Sequence, residues 1–133
     1  MKRNIFITGA SSGIGKAMAY SFGKNGDNLI LCARRKEKLQ EIKSDIEGRY
    51  DVKVDIYELD VTRYEKVTDT VKEIIKNSGK IDVLINNAGY GSFGAVEDVD
   101  ISEAKMQFEV NLFGLARLVQ LVLPHMRKQK SGR

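Results

Sequence analysis

Asn4-Ile5-Phe6-Ile7-Thr8-Gly9-Ala10-Ser11-Ser12-Gly13-Ile14-Gly15 is the stretch whose reading decides the fold. Asn4 to Ile7 is a short apolar run of the kind found in buried strands, and Gly13 to Lys24 reads as a helix. Between them the chain turns sharply and presents backbone N–H groups at the helix start. Gly9 supplies the tight turn, while Gly13 and Gly15 remove side chains where a pyrophosphate and the neighbouring strand approach closely. The helix dipole and its free N–H groups hold phosphate without needing a lysine. A strand before and a helix after, at the head of a βαβ unit, point to dinucleotide binding by Gly9, Ser11, Ser12, Gly13, Ile14 and Gly15. The alternative is a structural glycine turn.

Outward from this turn, short apolar runs alternate with amphipathic stretches. Asn28 to Cys32 is a second strand, followed by a helix over about Arg35 to Glu47 with Leu39, Ile42 and Ile46 on one face. Lys53 to Leu59 alternates Val54 and Ile56 with polar neighbours, as a strand nearer an edge does. Thr62 is placed to cap a helix carrying Val67, Val71, Ile74 and Ile75, with Glu65 at the capping-box position. Asn77-Ser78-Gly79 ends that helix, and Ile81 to Ile85 is a fourth buried strand. This alternation predicts parallel strands joined by right-handed crossovers with helices on both faces, a Rossmann-type doubly wound α/β sheet. No repeat, linker or low-complexity segment interrupts residues 1–133, which read as one nucleotide-binding domain.

A longer helix spans about Ile101 to Gln129. Phe108, Leu112, Leu115, Val119, Val122 and Met126 step along one face, while Phe113, Leu118 and Leu121 occupy others. Part of this surface is expected to meet the sheet and part a partner subunit; the alternative is packing under a neighbouring segment. Pro124 is expected to kink or end the regular helix.

The second strand bears on which dinucleotide fits. An NAD-type site usually carries an acid there for the ribose 2′-hydroxyl. Here Cys32 and Ala33 lead instead into Arg34 and Arg35. A carboxylate repels a 2′-phosphate, whereas a guanidinium grips it through two charge-assisted hydrogen bonds, so NADP is favoured over NAD. The alternative is that the two arginines are a solvated helix start.

Composition narrows the remaining classes. The 133 residues are 42% hydrophobic and 30% charged, enough for an ordinary core and unlike a disordered chain. The net charge of +4 is spread out apart from Arg34-Arg35-Lys36 and Arg127-Lys128-Gln129-Lys130, with no aromatic-and-basic motif, so no nucleic-acid partner is expected. Cys32 is the lone cysteine, in an apolar run, and reads as a small buried hydrophobe; with the single His125 it leaves no metal cluster. No secretory signal is visible and no run approaches the length of a membrane span, so a cytoplasmic protein without a membrane partner is expected.

Taken together, these motifs resemble the short-chain dehydrogenase/reductase family along the whole chain. Thr8-Gly9-x-x-x-Gly13-x-Gly15 is similar to the family's cofactor turn, and Ala33-Arg34-Arg35 to its NADP-preferring subgroup. Asp60-Val61 resembles the adenine-contacting pair; the residues alone also allow Asp60 to contribute an N-cap. Asn86-Asn87-Ala88-Gly89 resembles the second signature, which puts Asn87, Ala88 and Gly89 beside the cofactor. Asn111 matches the helix asparagine of the family's Asn-Ser-Tyr-Lys catalytic tetrad, where it helps hold a water in the proton relay; a buried structural asparagine is the alternative.

The resemblance implies strand order 3-2-1-4 and hydride transfer between NADP and a small carbonyl or secondary alcohol, in a homo-oligomer. It also implies that the tetrad's Ser, Tyr and Lys follow a fifth strand, so the chain is expected to be an N-terminal part, inactive alone. Tyr20-Ser21-Phe22-Gly23-Lys24 mimics Tyr-x-x-x-Lys but lies on the helix leaving the glycine turn, remote from the reacting centre. Tyr90 and Phe93, in a glycine-rich loop, are placed to line the site mouth. The competing reading is a short protein that binds or senses NADP without turnover. Without a fifth strand the edge at Ile81 to Ile85 is expected to be bare and prone to self-association, as a paired-edge dimer.

Overall fold

The computed structural model describes residues 2–133. Strand β1 (Asn4–Thr8) leads into helix α1 (Gly13–Lys24), β2 (Asn28–Ala33) into α2 (Lys36–Arg49), and β3 (Val54–Glu58) into α3 (Tyr64–Ser78). Strand β4 (Val83–Ile85) is followed by a 3-10 turn at Val96–Asp98 and by one unbroken helix with three parts. These are α4 (Ile101–Phe108), a π-helical segment (Glu109–Gly114) and α5 (Leu115–Gln129).

The four strands form one parallel sheet in the order β3-β2-β1-β4. Successive side chains of a strand face opposite ways. Ile5 and Ile7 of β1, with Leu29 and Leu31 of β2, therefore pack with Leu39, Ile42 and Ile46 of α2. Phe6, Ile30 and Cys32 pack on the other face with Val67, Val71 and Ile74 of α3 and Leu118, Val122 and Met126 of α5. Helices thus cover both faces, and every crossover returns the chain to the same end of the sheet. Gly79 closes α3 in the left-handed conformation at φ 69°, as the sequence predicts.

Four expectations need correction. Thr62 does not cap α3: Arg63 is the N-cap, and it makes no side-chain cap bond. The reason is local, since Asp60 Oδ1 accepts both the Thr62 N–H at 3.0 Å and its hydroxyl at 2.7 Å.

Strand β4 is shorter than predicted and only half-buried. The Gln129 side-chain amide takes Ile81 out of the ladder, accepting its N–H and donating to its carbonyl, both at 2.9 Å. The outer edge is not bare either, because the Arg133 N–H donates to Asp82 O at 3.0 Å and Arg133 O accepts from Leu84 N at 2.8 Å.

The third correction concerns the long helix. The π segment inserts one residue, so the buried stripe runs Gly114, Leu118, Val122, Met126. Leu118 is core, whereas Phe108 and Leu112 are 62% and 50% exposed. Pro124 does not end the helix; Gln120, whose carbonyl loses its partner there, is exposed to water. Fourth, Ile101–Gln129 is, at 29 residues, long and apolar enough to cross a membrane, contrary to the expected lack of any such stretch. Its Leu118, Val122 and Met126 are instead packed against the sheet and α3.

Candidate functional site

A cleft of 530 Å3 opens at the carboxyl ends of the strands, lined from the glycine turn across to Arg34, Asp60 and Tyr90. This is where open parallel sheets bind ligands, and the volume suits a cofactor. Gly9 and Gly13 both adopt the left-handed conformation, at φ 62° and 56°. Ser12 at the N-cap is extended and makes no side-chain cap bond, so it leaves the first-turn N–H groups of α1 uncapped, and Ser12, Gly13 and Ile14 at that helix start line the cleft. A Cβ on Gly13 would meet nothing within 4 Å among the described residues. Ile14, beside it, is an apolar side chain left 73% exposed on the cleft wall.

Of the two roles its spacing suggests, Gly15 takes the close packing rather than a place on the cleft wall. It is buried and does not line the cleft. A Cβ there would lie 2.3 Å from Gly9 O and 2.5 Å from Asn87 Nδ2, so its missing side chain lets α1 sit directly on the turn.

Thr8 joins the two glycine-containing motifs, a role its place in the first motif does not by itself disclose. It is 2% exposed, and its hydroxyl accepts the N–H groups of Asn87 and Ala88, both at 3.0 Å. The same hydroxyl donates to Ile85 O at 3.4 Å, and Asn87 Nδ2 donates to Gly9 O at 3.2 Å. Strand β4's exit is thereby fixed against the turn that follows β1. The available signal is a buried threonine ending an otherwise apolar strand.

At one end of the cleft, Cys32 and Ala33 form the floor beside Arg34, Arg35, Asp60, Val61 and Thr62. Burial pushes the Cys32 thiol well up, so it stays neutral and inert. Burial also pushes the Asp60 carboxyl up. The hydroxyl and N–H of Thr62, with the charges of Arg34 and Arg63, outweigh that effect and hold it below the usual range. Asp60 therefore serves as an ionised acceptor in the turn before α3, not as that helix's N-cap.

At the other end stand Ala88, Gly89, Tyr90, Met106 and Val110. Asn111 sits behind this wall, inside the π segment, exposed rather than buried. Its Oδ1 accepts the Tyr90 N–H at 3.0 Å, and its Nδ2 donates to Tyr90 O at 2.7 Å. A Cβ on Gly89 would come within 2.8 Å of Asn111 Oδ1. Gly114, at the end of the segment, packs against Val61, where a Cβ would lie 2.9 Å from both side chain and backbone.

Of the loop residues expected at the mouth, Tyr90 lines the cleft and its hydroxyl donates to Glu103 O at 3.3 Å, while Phe93 is 98% exposed and lies outside it. Tyr20 is outside as well: its hydroxyl donates to Asp45 at 2.6 Å, joining α1 to α2. The cleft can thus hold an elongated, phosphate-bearing ligand with cations at one end and an apolar wall at the other.

The short chain dehydrogenase family model matches residues 3–133. Oxidoreductase BOA17 of Botryotinia fuckeliana is 42% identical over 127 residues, covering 96% of this chain and 45% of that protein. The alcohol dehydrogenase of Thermococcus sibiricus, solved with 5-hydroxy-NADP, superposes with a TM-score of 0.94 at 32% identity, over 98% of this chain and 56% of the other. A xylitol dehydrogenase bound to NAD+ superposes with a TM-score of 0.93 at 31% identity, over 98% and 50%, so the fold by itself does not choose the cofactor. The chain spans about half the length of the relatives it matches.

Proposed function

The chain belongs to the short chain dehydrogenase family, and from that premise we propose that its cleft holds NADP for an oxidoreductase acting on a carbonyl or secondary alcohol. The observation that carries the cofactor choice is Arg34 and Arg35 on the cleft wall where β2 ends, with no acid at that position to accept a ribose 2′-hydroxyl. Two further features support the fit. The α1 start leaves its N–H groups and the space above Gly13 free for a pyrophosphate, and Asn87, Ala88 and Gly89 bring small or polar groups to the ribose side.

When bound, the nicotinamide supplies the hydride chemistry. This chain's own residues bind and orient: Arg34 and Arg35 hold the 2′-phosphate, Ser11, Ser12, Gly13 and Ile14 face the pyrophosphate, and Asp60 with Val61 borders the adenine. Thr8 keeps Asn87 and Ala88 in place, and Asn111 positions Tyr90. Turnover by the whole protein, its small carbonyl or alcohol substrate and its assembly as a homo-oligomer are part of the proposal.

Arg34→Asp tests the reading. It should weaken NADPH binding more than about tenfold, the scale of one charged hydrogen-bonding partner, and leave NADH within about threefold. Equal losses for the two cofactors would defeat the 2′-phosphate assignment.

A further inference from the structure

We infer that Glu109 and Arg117 are a positioning pair, whose ion pair across the π-helical segment holds Asn111 against Tyr90 and so shapes the end of the cleft away from Arg34. Its functional meaning rests on the dinucleotide reading above; its structural content does not. Arg117 Nη1 donates to Glu109 Oε1 at 2.6 Å, with the two side chains 30% and 32% exposed. Eight residues separate them, an unusual spacing for partners on one helix. In an α-helix, eight residues turn the chain about 80° off the starting face and advance it about 12 Å. One inserted residue makes the same stretch sweep roughly as seven do, about 20° off the face and about 10.5 Å along it. Two long side chains leaning toward each other span that gap. The pair is thus a contact that the wide register permits and that stabilises it.

The remaining contacts show what depends on the register. Leu118, Val122 and Met126 fix α5 against the sheet, and the Arg117 guanidinium lies 5.2 Å from the Tyr64 ring centre at the start of α3. With α5 held, closing the π segment to an α-helix would rotate everything before it by about 100°. Asn111 and Val110 lie in that segment, so the rotation would break the two bonds to Tyr90 and withdraw Val110 from the cleft wall.

The test uses NMR of the 133-residue chain, following exchange of the Tyr90 N–H and the Asn111 side-chain amide. Glu109→Gln and Arg117→Met should each speed exchange about fivefold, as expected for a partly exposed pair. The charge-swapped double variant E109R/R117E, which restores the ion pair but not the contact of residue 117 with the Tyr64 ring, should recover part of the protection, to about two- to threefold of the parent. Arg117→Lys keeps the charge but loses the planar stack, and should fall between; it also covers the case in which Arg117→Met unfolds. Unchanged exchange in the single variants, or a swap no better protected than they are, overturns the inference. An NADPH titration of the unmodified chain reads the cofactor assignment separately. No binding would sink that assignment and leave the exchange result to judge the pair, whereas binding with unchanged exchange sinks the pair alone.

Discussion

Replacing Gly15 by alanine puts the joint between the glycine turn and the second motif under direct load. The added Cβ would lie 2.3 Å from Gly9 O and 2.5 Å from Asn87 Nδ2. The first neighbour is backbone, so relief requires α1 to lift or the turn to move. Overpacking of this kind costs about 1–3 kcal/mol. Displacing the Asn87 amide from Gly9 O removes a hydrogen bond of about 1 kcal/mol. Alanine's better helix propensity offsets up to about 1 kcal/mol. The net expected loss is about 1–3 kcal/mol, a Tm lowered by roughly 3–12 °C for a chain of this size. Gly13→Ala is the contrast: its Cβ meets nothing within 4 Å among the described residues, so its effect should be about 1–2 kcal/mol of left-handed strain together with weaker NADPH binding. Thermal unfolding followed by circular dichroism, paired with NADPH titration, separates the two. A Gly15→Ala chain melting at or above the parent's Tm would refute the reasoning.

Two other outcomes follow from the same geometry. Thr8→Val keeps the shape but removes the acceptor of the Asn87 and Ala88 N–H groups, so urea unfolding should show a loss of about 2–4 kcal/mol, with Thr8→Ser recovering most of it; a valine variant as stable as the parent would contradict the stapling role. Burial pushes the Asp82 carboxyl up, but the hydrogen bonds from Lys80 and the Asn4 N–H, with the charges of Lys80 and Arg3, outweigh it and hold the carboxyl below its ordinary range. Its stabilisation is therefore full above the unfolded value of about 3.9 and is lost as pH falls through the lower folded value. Asp82→Asn should be less stable at neutral pH and show a flatter acid limb below about pH 4; an unchanged acid limb would count against it.

Where the sequence is locally self-sufficient, the fold is legible. Ile5, Phe6 and Ile7, or Leu29 to Cys32, are apolar on both faces because helices cover both sides of a parallel sheet, so their strands and the turn between them can be read in order. Most of the cleft follows, since its lining residues are the ends of those strands. What fails depends on long-range or one-residue effects. Nothing near Ile81 announces that Gln129 will occupy its backbone, and Thr62 reads as a cap until Asp60 competes for it. The π segment inserts one residue into a helix whose apolar spacing is dense enough to fit either register, which is why the spacing puts Phe108 and Leu112 on one face with Val122 and Met126 and leaves Leu118 off it. Asn111 is identifiable by its motif, but its attachment to Tyr90 is visible only once that insertion is.

The most direct test is equilibrium titration of the unmodified chain with NADPH and with NADH at one fixed, moderate salt concentration, read by the fluorescence of the reduced nicotinamide in a protein that contains no tryptophan. Charge-assisted contacts from Arg34 and Arg35 to the 2′-phosphate predict NADPH binding tighter by about tenfold to a hundredfold, a gap that narrows as salt is added. Equal affinities would contradict the cofactor assignment, and saturable binding of neither would contradict the cleft itself.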